Sequence, residues 1–203
     1  MKRNQYIQRT KQRIITASDG DVFIPSDFFD IAEPTTINKI LERLVGKGIL
    51  RKVRRGLYDK PLFSMYLQEY EAPQIEKVAF ALARNYGWNI VPTGETALNL
   101  LGLSNQVVAH WIYLSDGPYR EYEIGNVHLQ FKHAANKNIS GLSRRSALVV
   151  QALLSLGNGV LQDTSMLSRI AKLLSDSEKK MLVEEAQYTT AWVFEAIRRI
   201  CLQ

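Results

Sequence analysis

Cysteine is almost missing from this 203-residue sequence, which carries only Cys201. One thiol excludes an intrachain disulfide and leaves no cysteine-rich zinc cluster, as expected of a chain kept in a reducing compartment. Long apolar runs are missing as well. No uninterrupted stretch approaches the ~20 residues that cross a bilayer. The first segment stays charged through Arg13 and lacks the apolar centre of a signal peptide. The expected location is the cytoplasm. No glycine-rich phosphate loop with its lysine, nucleophile motif, internal repeat or low-complexity tract is found. The chain is therefore read as a non-enzyme without a cofactor. Histidine is scarce, with His110, His128 and His133 alone. On one extended strand His128 and His133 have opposite parity and face opposite sides, so no metal site is expected.

What the chain does have is charge unevenly spread. Residues 1–60 hold 13 Lys or Arg against 7 Asp or Glu, whereas residues 61–203 hold 13 of each. A basic small module ahead of a neutral larger one is the footprint of a nucleic-acid reader with a second domain. A merely solvated basic face would give the same count. The hydrophobic fraction of 46% and charged fraction of 23% are those of an ordered globular protein.

Ile7, Ile14 and Ile15 recur at helical spacing and predict a first helix over 4–17, closed by the turn cluster Ser18-Asp19-Gly20-Asp21. Val22-Phe23-Ile24 is a candidate strand. Ser26 is placed to cap a short second helix through Phe28, Phe29 and Ile31. Pro34 suits the first turn of a third helix that leaves near Lys47, between Gly46 and Gly48. On that helix Ile37, Ile40, Leu41, Leu44 and Val45 make one apolar stripe. Residues 49–53 and 57–58 then predict two short strands around the turn Arg54-Arg55-Gly56.

Three helices and a hairpin are the winged helix order. The fold class is read as α+β: a winged helix-turn-helix over 1–60, then a mixed α/β domain over 61–203. Residues 61–73 are taken as the connection. The sheet-containing part, 74–135, has helices over 75–86 and 96–101 and strands over 88–91, 107–114, 120–124 and 127–133. The helical part, 143–203, has helices over 143–156, 164–174, 177–187 and 190–200.

A winged helix puts its third helix in the major groove, with the N-terminal residues at the base edges. Those residues are Thr35, Thr36, Asn38 and Lys39, with Arg43 one turn further. Asn pairs bidentately with adenine, Lys meets guanine acceptors, and Thr offers a hydroxyl or a methyl. Glu42 on the same side would repel phosphate. In the hairpin, Arg51, Lys52, Arg54 and Arg55 crowd four cations into five positions. A polyanion relieves their repulsion by displacing counterions. Arg54 and Arg55 at the tip are placed for phosphates or a minor groove, and Arg51 and Lys52 for the backbone. The plain alternative is an edge strand protected by charge.

Beyond residue 60 the chemistry is thinner. Glu121 and Glu123 share a strand face, which could serve acid–base work. Cross-strand pairing with Arg120 and Lys132 is the more economical expectation. Ser143-Arg144-Arg145 reads either as a second phosphate contact or as a basic helix start. The stripe Trp192, Val193, Ala196, Ile197 and Ile200 reads as core, and Cys201 beside it as a small buried hydrophobe.

The stretch Gly48-Ile49-Leu50-Arg51-Lys52-Val53-Arg54-Arg55-Gly56-Leu57-Tyr58, after the helix opened by Pro34, resembles the N-terminal winged domain of the AbiEi-type antitoxins. Its Arg-Arg-Gly-x-Tyr ending carries most of the likeness. Downstream, Pro92-Thr93-Gly94-Glu95-Thr96-Ala97-Leu98, a strand-rich middle and a helical end are similar to the antitoxin domain of that family, loosely beyond about residue 135. The resemblance implies a bacterial abortive-infection toxin–antitoxin system. The protein would repress its own operon at promoter repeats of double-stranded DNA. It would also counteract a partner toxin of nucleotidyltransferase character, with or without direct contact. The alternative is a winged-helix regulator whose rear domain senses a ligand or mediates dimers.

Overall fold

The computed structural model describes the backbone of residues 2–106, 108–134 and 141–203, with side chains from residue 4 onward. It is a mixed α+β protein in two compact units, Met1–Gly87 and Trp88–Gln203. No helix among the described residues is long and apolar enough to cross a membrane.

The first unit opens with α1 (Lys2–Thr16), then β1 (Val22–Phe23) and a 3₁₀ turn (Pro25–Phe28). α2 (Pro34–Gly46), β2 (Arg51–Arg54) and β3 (Leu57–Asp59) follow. The strands form one sheet in the order β1-β3-β2, all antiparallel. This is the winged helix order, with β2 and β3 as the wing. The expected stripe on α2 is its buried side: Ile37 and Leu41 are fully buried, Leu44 and Ile40 nearly so. Together with Ile14, Phe23, Phe28, Ile31, Leu50 and Tyr58 they form one core. Each such aliphatic side chain contributes about 1.5–3 kcal/mol by leaving water.

Two expectations are corrected here. The second helix is only a 3₁₀ turn, and Ser26 does not cap it. The Asp27 carboxylate instead accepts from the Ile24 N–H at 2.9 Å and is held by Arg84, while Phe28 fills the core and Phe29 stays half exposed. The unit also does not end at residue 60. α3 (Ile75–Tyr86) belongs to it, because Lys77 pairs with Asp21 at 2.7 Å and Arg84 with Asp27 at 2.9 Å. Between them, β4 (Phe63–Ser64) and β5 (Glu69–Tyr70) make a small ribbon where a plain connection was expected. Phe63 and Tyr70 meet edge to face across it, and Met65, Tyr66 and Leu67 at its turn are exposed.

The second unit contains β6 (Ile90–Pro92), α4 (Glu95–Leu100), β7 (His110–Ser115), β8 (Arg120–Ile124) and β9 (Val127–His133). The helices α5 (Arg144–Leu156), α6 (Thr164–Lys172), α7 (Asp176–Glu185) and α8 (Ala191–Cys201) complete it. Its sheet runs β6-β7-β9-β8, with β7 and β9 parallel and the other pairs antiparallel. Val107, the expected start of β7, and residue 135 lie outside the described residues. Ser143 caps α5, and Ser175 caps α7 in a reciprocal box with Glu178. Val193, Ala196, Ile197 and Ile200 of α8 are fully buried against Leu153, Leu167, Ile170 and Leu182. The stripe is core.

Candidate nucleic-acid interface

The apolar side of α2 faces the core, so its other side faces out. Thr35, Asn38, Lys39 and Arg43 are exposed and Thr36 is half-buried. None of these five side chains forms a hydrogen bond or ion pair with any described residue. Their donors and acceptors are left to solvent or to a partner. Glu42, on the same side, is engaged: it accepts from Lys52 Nζ at 2.7 Å and from the Tyr58 hydroxyl at 2.9 Å. The hydrogen bond from Lys52, then that from Tyr58, holds the Glu42 carboxyl below its ordinary range. Tyr58 is pushed up to about 12, by burial first and by Glu42 second. The charge expected to repel phosphate is thus answered from the wing. The same contact pins the wing to the helix.

The wing divides its cations. Lys52 and Arg54 point outward while Arg51 and Val53 are half-buried. A bulge between Lys52 and Arg54 interrupts the ladder, so that Arg54 sits opposite Leu57; a bulge re-aims side chains in this way. The tip passes through Gly56 at φ +73°, the left-handed region that glycine adopts without penalty. Arg51 is half-buried and engaged. Its guanidinium forks onto the buried Asp59, Nε to Oδ1 at 3.0 Å and Nη2 to Oδ2 at 2.5 Å, and Nη1 donates to the Glu71 carbonyl at 2.8 Å. Arg51, expected on a DNA backbone, is thus committed to holding the wing. Arg55 is exposed and has no ion pair among the described residues.

The unit's charge follows the same division. Six of the seven carboxylates in residues 1–60 are ion-paired: Asp19, Asp21, Asp27, Asp30, Glu42 and Asp59. Their partners are Lys60, Lys77, Arg84, Arg13, Lys52 and Arg51. Among the described residues, Arg9, Lys11, Lys39, Arg43, Lys47 and Arg55 enter no ion pair. The positive excess therefore lies on α1, the outer side of α2 and the wing tip.

In the second unit, the Glu121 and Glu123 partners differ from those expected. Glu123 pairs with His128 at 2.8 Å, and Glu121 accepts from Gln130 at 2.6 Å and from the Tyr119 hydroxyl. Arg120 has opposite parity to Glu121 and lies over the Trp88 ring, and Lys132 is two residues beyond Gln130, past the end of the β8–β9 register. Tyr119 first, then Gln130, holds the Glu121 carboxyl below its usual range, opposite to the upward shift that readies a carboxyl to protonate a substrate at neutral pH. His110 and His128 stack at 4.9 Å, a pairing that sequence parity did not reveal because β7 and β9 are joined only by a crossover. His133 contacts the Gly117 carbonyl. Among the described residues no group of three His, Cys, Asp or Glu could hold a metal ion. Arg145, considered above for phosphate, donates to the Leu173 carbonyl and pairs with Glu178. Burial raises the Cys201 thiol, which leaves it in its unreactive form.

No curated protein matches the chain. Residues 9–182 match the model of a family of unknown function, DUF6088, a match that runs from α1 through the wing and into α7, and the chain belongs to that family.

Proposed function

We propose that the chain binds duplex DNA through α2 and the wing and acts as a regulator. α2 lies in the major groove, Asn38 and Lys39 read base edges, Thr35 and Thr36 contact the groove wall, and Arg43, Arg54 and Arg55 meet phosphates, with Lys52 held beside them on Glu42. The observation that carries this reading is the pairing pattern. Nearly every carboxylate of residues 1–60 is neutralised within the fold, while the cations and amide of the α2 outer side have no partner among the described residues. A surface of that composition gains by counterion release on a polyanion. The resemblance to AbiEi-type antitoxins supports a narrower form, in which the chain represses its own operon and counteracts a toxin of nucleotidyltransferase character.

Two experiments test these levels. Fluorescence anisotropy with a duplex from the chain's own promoter should give binding that weakens steeply with added salt. No binding at low ionic strength refutes the DNA reading. Co-expression with the adjacent gene of the operon tests the antitoxin form: rescue from toxicity supports it, and an inert neighbour refutes it.

A further inference from the structure

We infer that the exposed stripe of α1, formed by Gln5, Gln8, Arg9 and Gln12, is a second contact on the phosphate backbone of the same duplex, centred on Arg9. The inference rests on the DNA reading of α2 and the wing. It adds a separate surface.

The composition of α1 is the first reason. Its fifteen residues contain no Asp or Glu. An ordinary solvent-facing helix mixes both signs and gains from i,i+4 pairs, and a carboxylate in the first turn favours the helix dipole. α1 has neither. Thr10 and Ile14 are buried and Tyr6 and Ile7 pack on the core, whereas Gln5, Gln8, Arg9 and Gln12 are exposed at i, i+3, i+4 and i+7. That stripe presents amide and guanidinium donors without a carboxylate among them. Such donors suit phosphate oxygens.

Placement is the second reason. Arg13 forks onto Asp30 at 2.7 and 2.6 Å and donates to the Asp27 carbonyl at 2.6 Å. This fastens α1 against the segment that leads directly into Pro34 at the start of α2. Arg9 lies one turn before Arg13 on the same side of the helix. The wing, by contrast, is tied to α2 at Glu42, near its C-terminal half. The face of α1 that carries Arg9 is thus fastened through Arg13 to the segment before α2, and the wing is fastened to α2 at Glu42, so the two cationic surfaces border α2 from different elements.

The test is the salt dependence of binding to the promoter duplex and to an unrelated duplex of equal length. Wild type is compared with Arg9→Ala, Arg9→Lys, Arg55→Ala and Lys11→Ala, a half-buried cation off the stripe. Circular dichroism and thermal melting confirm that each variant is folded. Arg9→Ala is expected to weaken both duplexes by the same factor and to reduce the slope of log K against log salt by about 0.9. Arg9→Lys should restore most of the loss, and Lys11→Ala should change little. If Arg9→Ala leaves affinity and slope unchanged while Arg55→Ala lowers both, the α1 contact is refuted and the wing reading stands. If wild type binds neither duplex at low ionic strength, the DNA reading itself has failed.

Discussion

The root and the tip of the wing use the same residue types for opposite ends. At the root, Arg51 is locked onto the buried carboxylate of Asp59, and Lys52 is turned toward Glu42 on α2. At the tip, Arg55 beside Gly56 is exposed with no ion pair among the described residues. Cations that look alike as a run thus differ: Arg51 and Lys52 hold the hairpin, and Arg55 is displayed. The difference lies in the local supply of carboxylates, since a fold's internal acids choose their cations first. Charge density along a sequence measures how much can bind a polyanion only after those pairs are removed.

Breaking the root should produce the largest effect. Arg51→Ala leaves Asp59 buried without its partner, and loss of one side of such a pair costs about 3–5 kcal/mol. Urea denaturation should show that loss, with DNA affinity per folded molecule unchanged. A stability change below 1 kcal/mol would return Arg51 to the binding surface. On α2, Asn38→Ala should cost about 1–3 kcal/mol at one base position and leave the unrelated duplex unaffected, as a panel of single-base operator variants would report. At the tip, Arg55→Ala should leave melting unchanged and lower the salt slope by about 0.9, equally on all sequences. A change in melting without a change in slope would erase the contrast between root and tip.

Smaller effects sharpen the tie between wing and helix. Glu42→Gln removes the one carboxylate on the outer side of α2 and releases Lys52, so binding to unrelated duplex should tighten a few-fold while preference for the promoter falls. Competition between the two duplexes measures both. The Tyr58 hydroxyl sets an alkaline limit. Its folded pKa of about 12 lies above the ordinary 10, so the folded state binds more protons between those values and stability falls with pH. The contribution is complete below about pH 10 and is lost as pH rises toward 12. Tyr58→Phe should flatten this part of the stability profile. On the acid side the lowered Glu42 carboxyl has the opposite sign: its contribution is present above the ordinary carboxylate range and is lost as pH falls through the folded value.

The first unit was legible where a local rule sufficed. The 3.6-residue spacing of Ile37, Ile40, Leu41 and Leu44 marked both α2 and its outer side, and Arg54-Arg55-Gly56 marked the turn. Ser26-Asp27 misled, because a capping sequence does not reveal that Asp27 turns back to the Ile24 N–H and is shared with Arg84, 57 residues away. Residues 61–73 looked like a plain connection, since strands of two residues are too short to leave an alternating pattern. The histidine pair was hidden for a related reason: parity compares residues on one strand, and His110 meets His128 across two.

By itself the sequence determined the α-helices other than the expected second one, the hairpin, the basic excess of the first sixty residues and the lack of a second cysteine for a disulfide. Those are properties of composition and short-range periodicity. Only the tertiary structure decided that Arg51 serves Asp59, that Glu42 is neutralised by Lys52, and that the first unit runs on through α3 to Gly87. Ion pairs and unit boundaries depend on which distant groups the packed core brings within about 4 Å, and no local pattern records that distance.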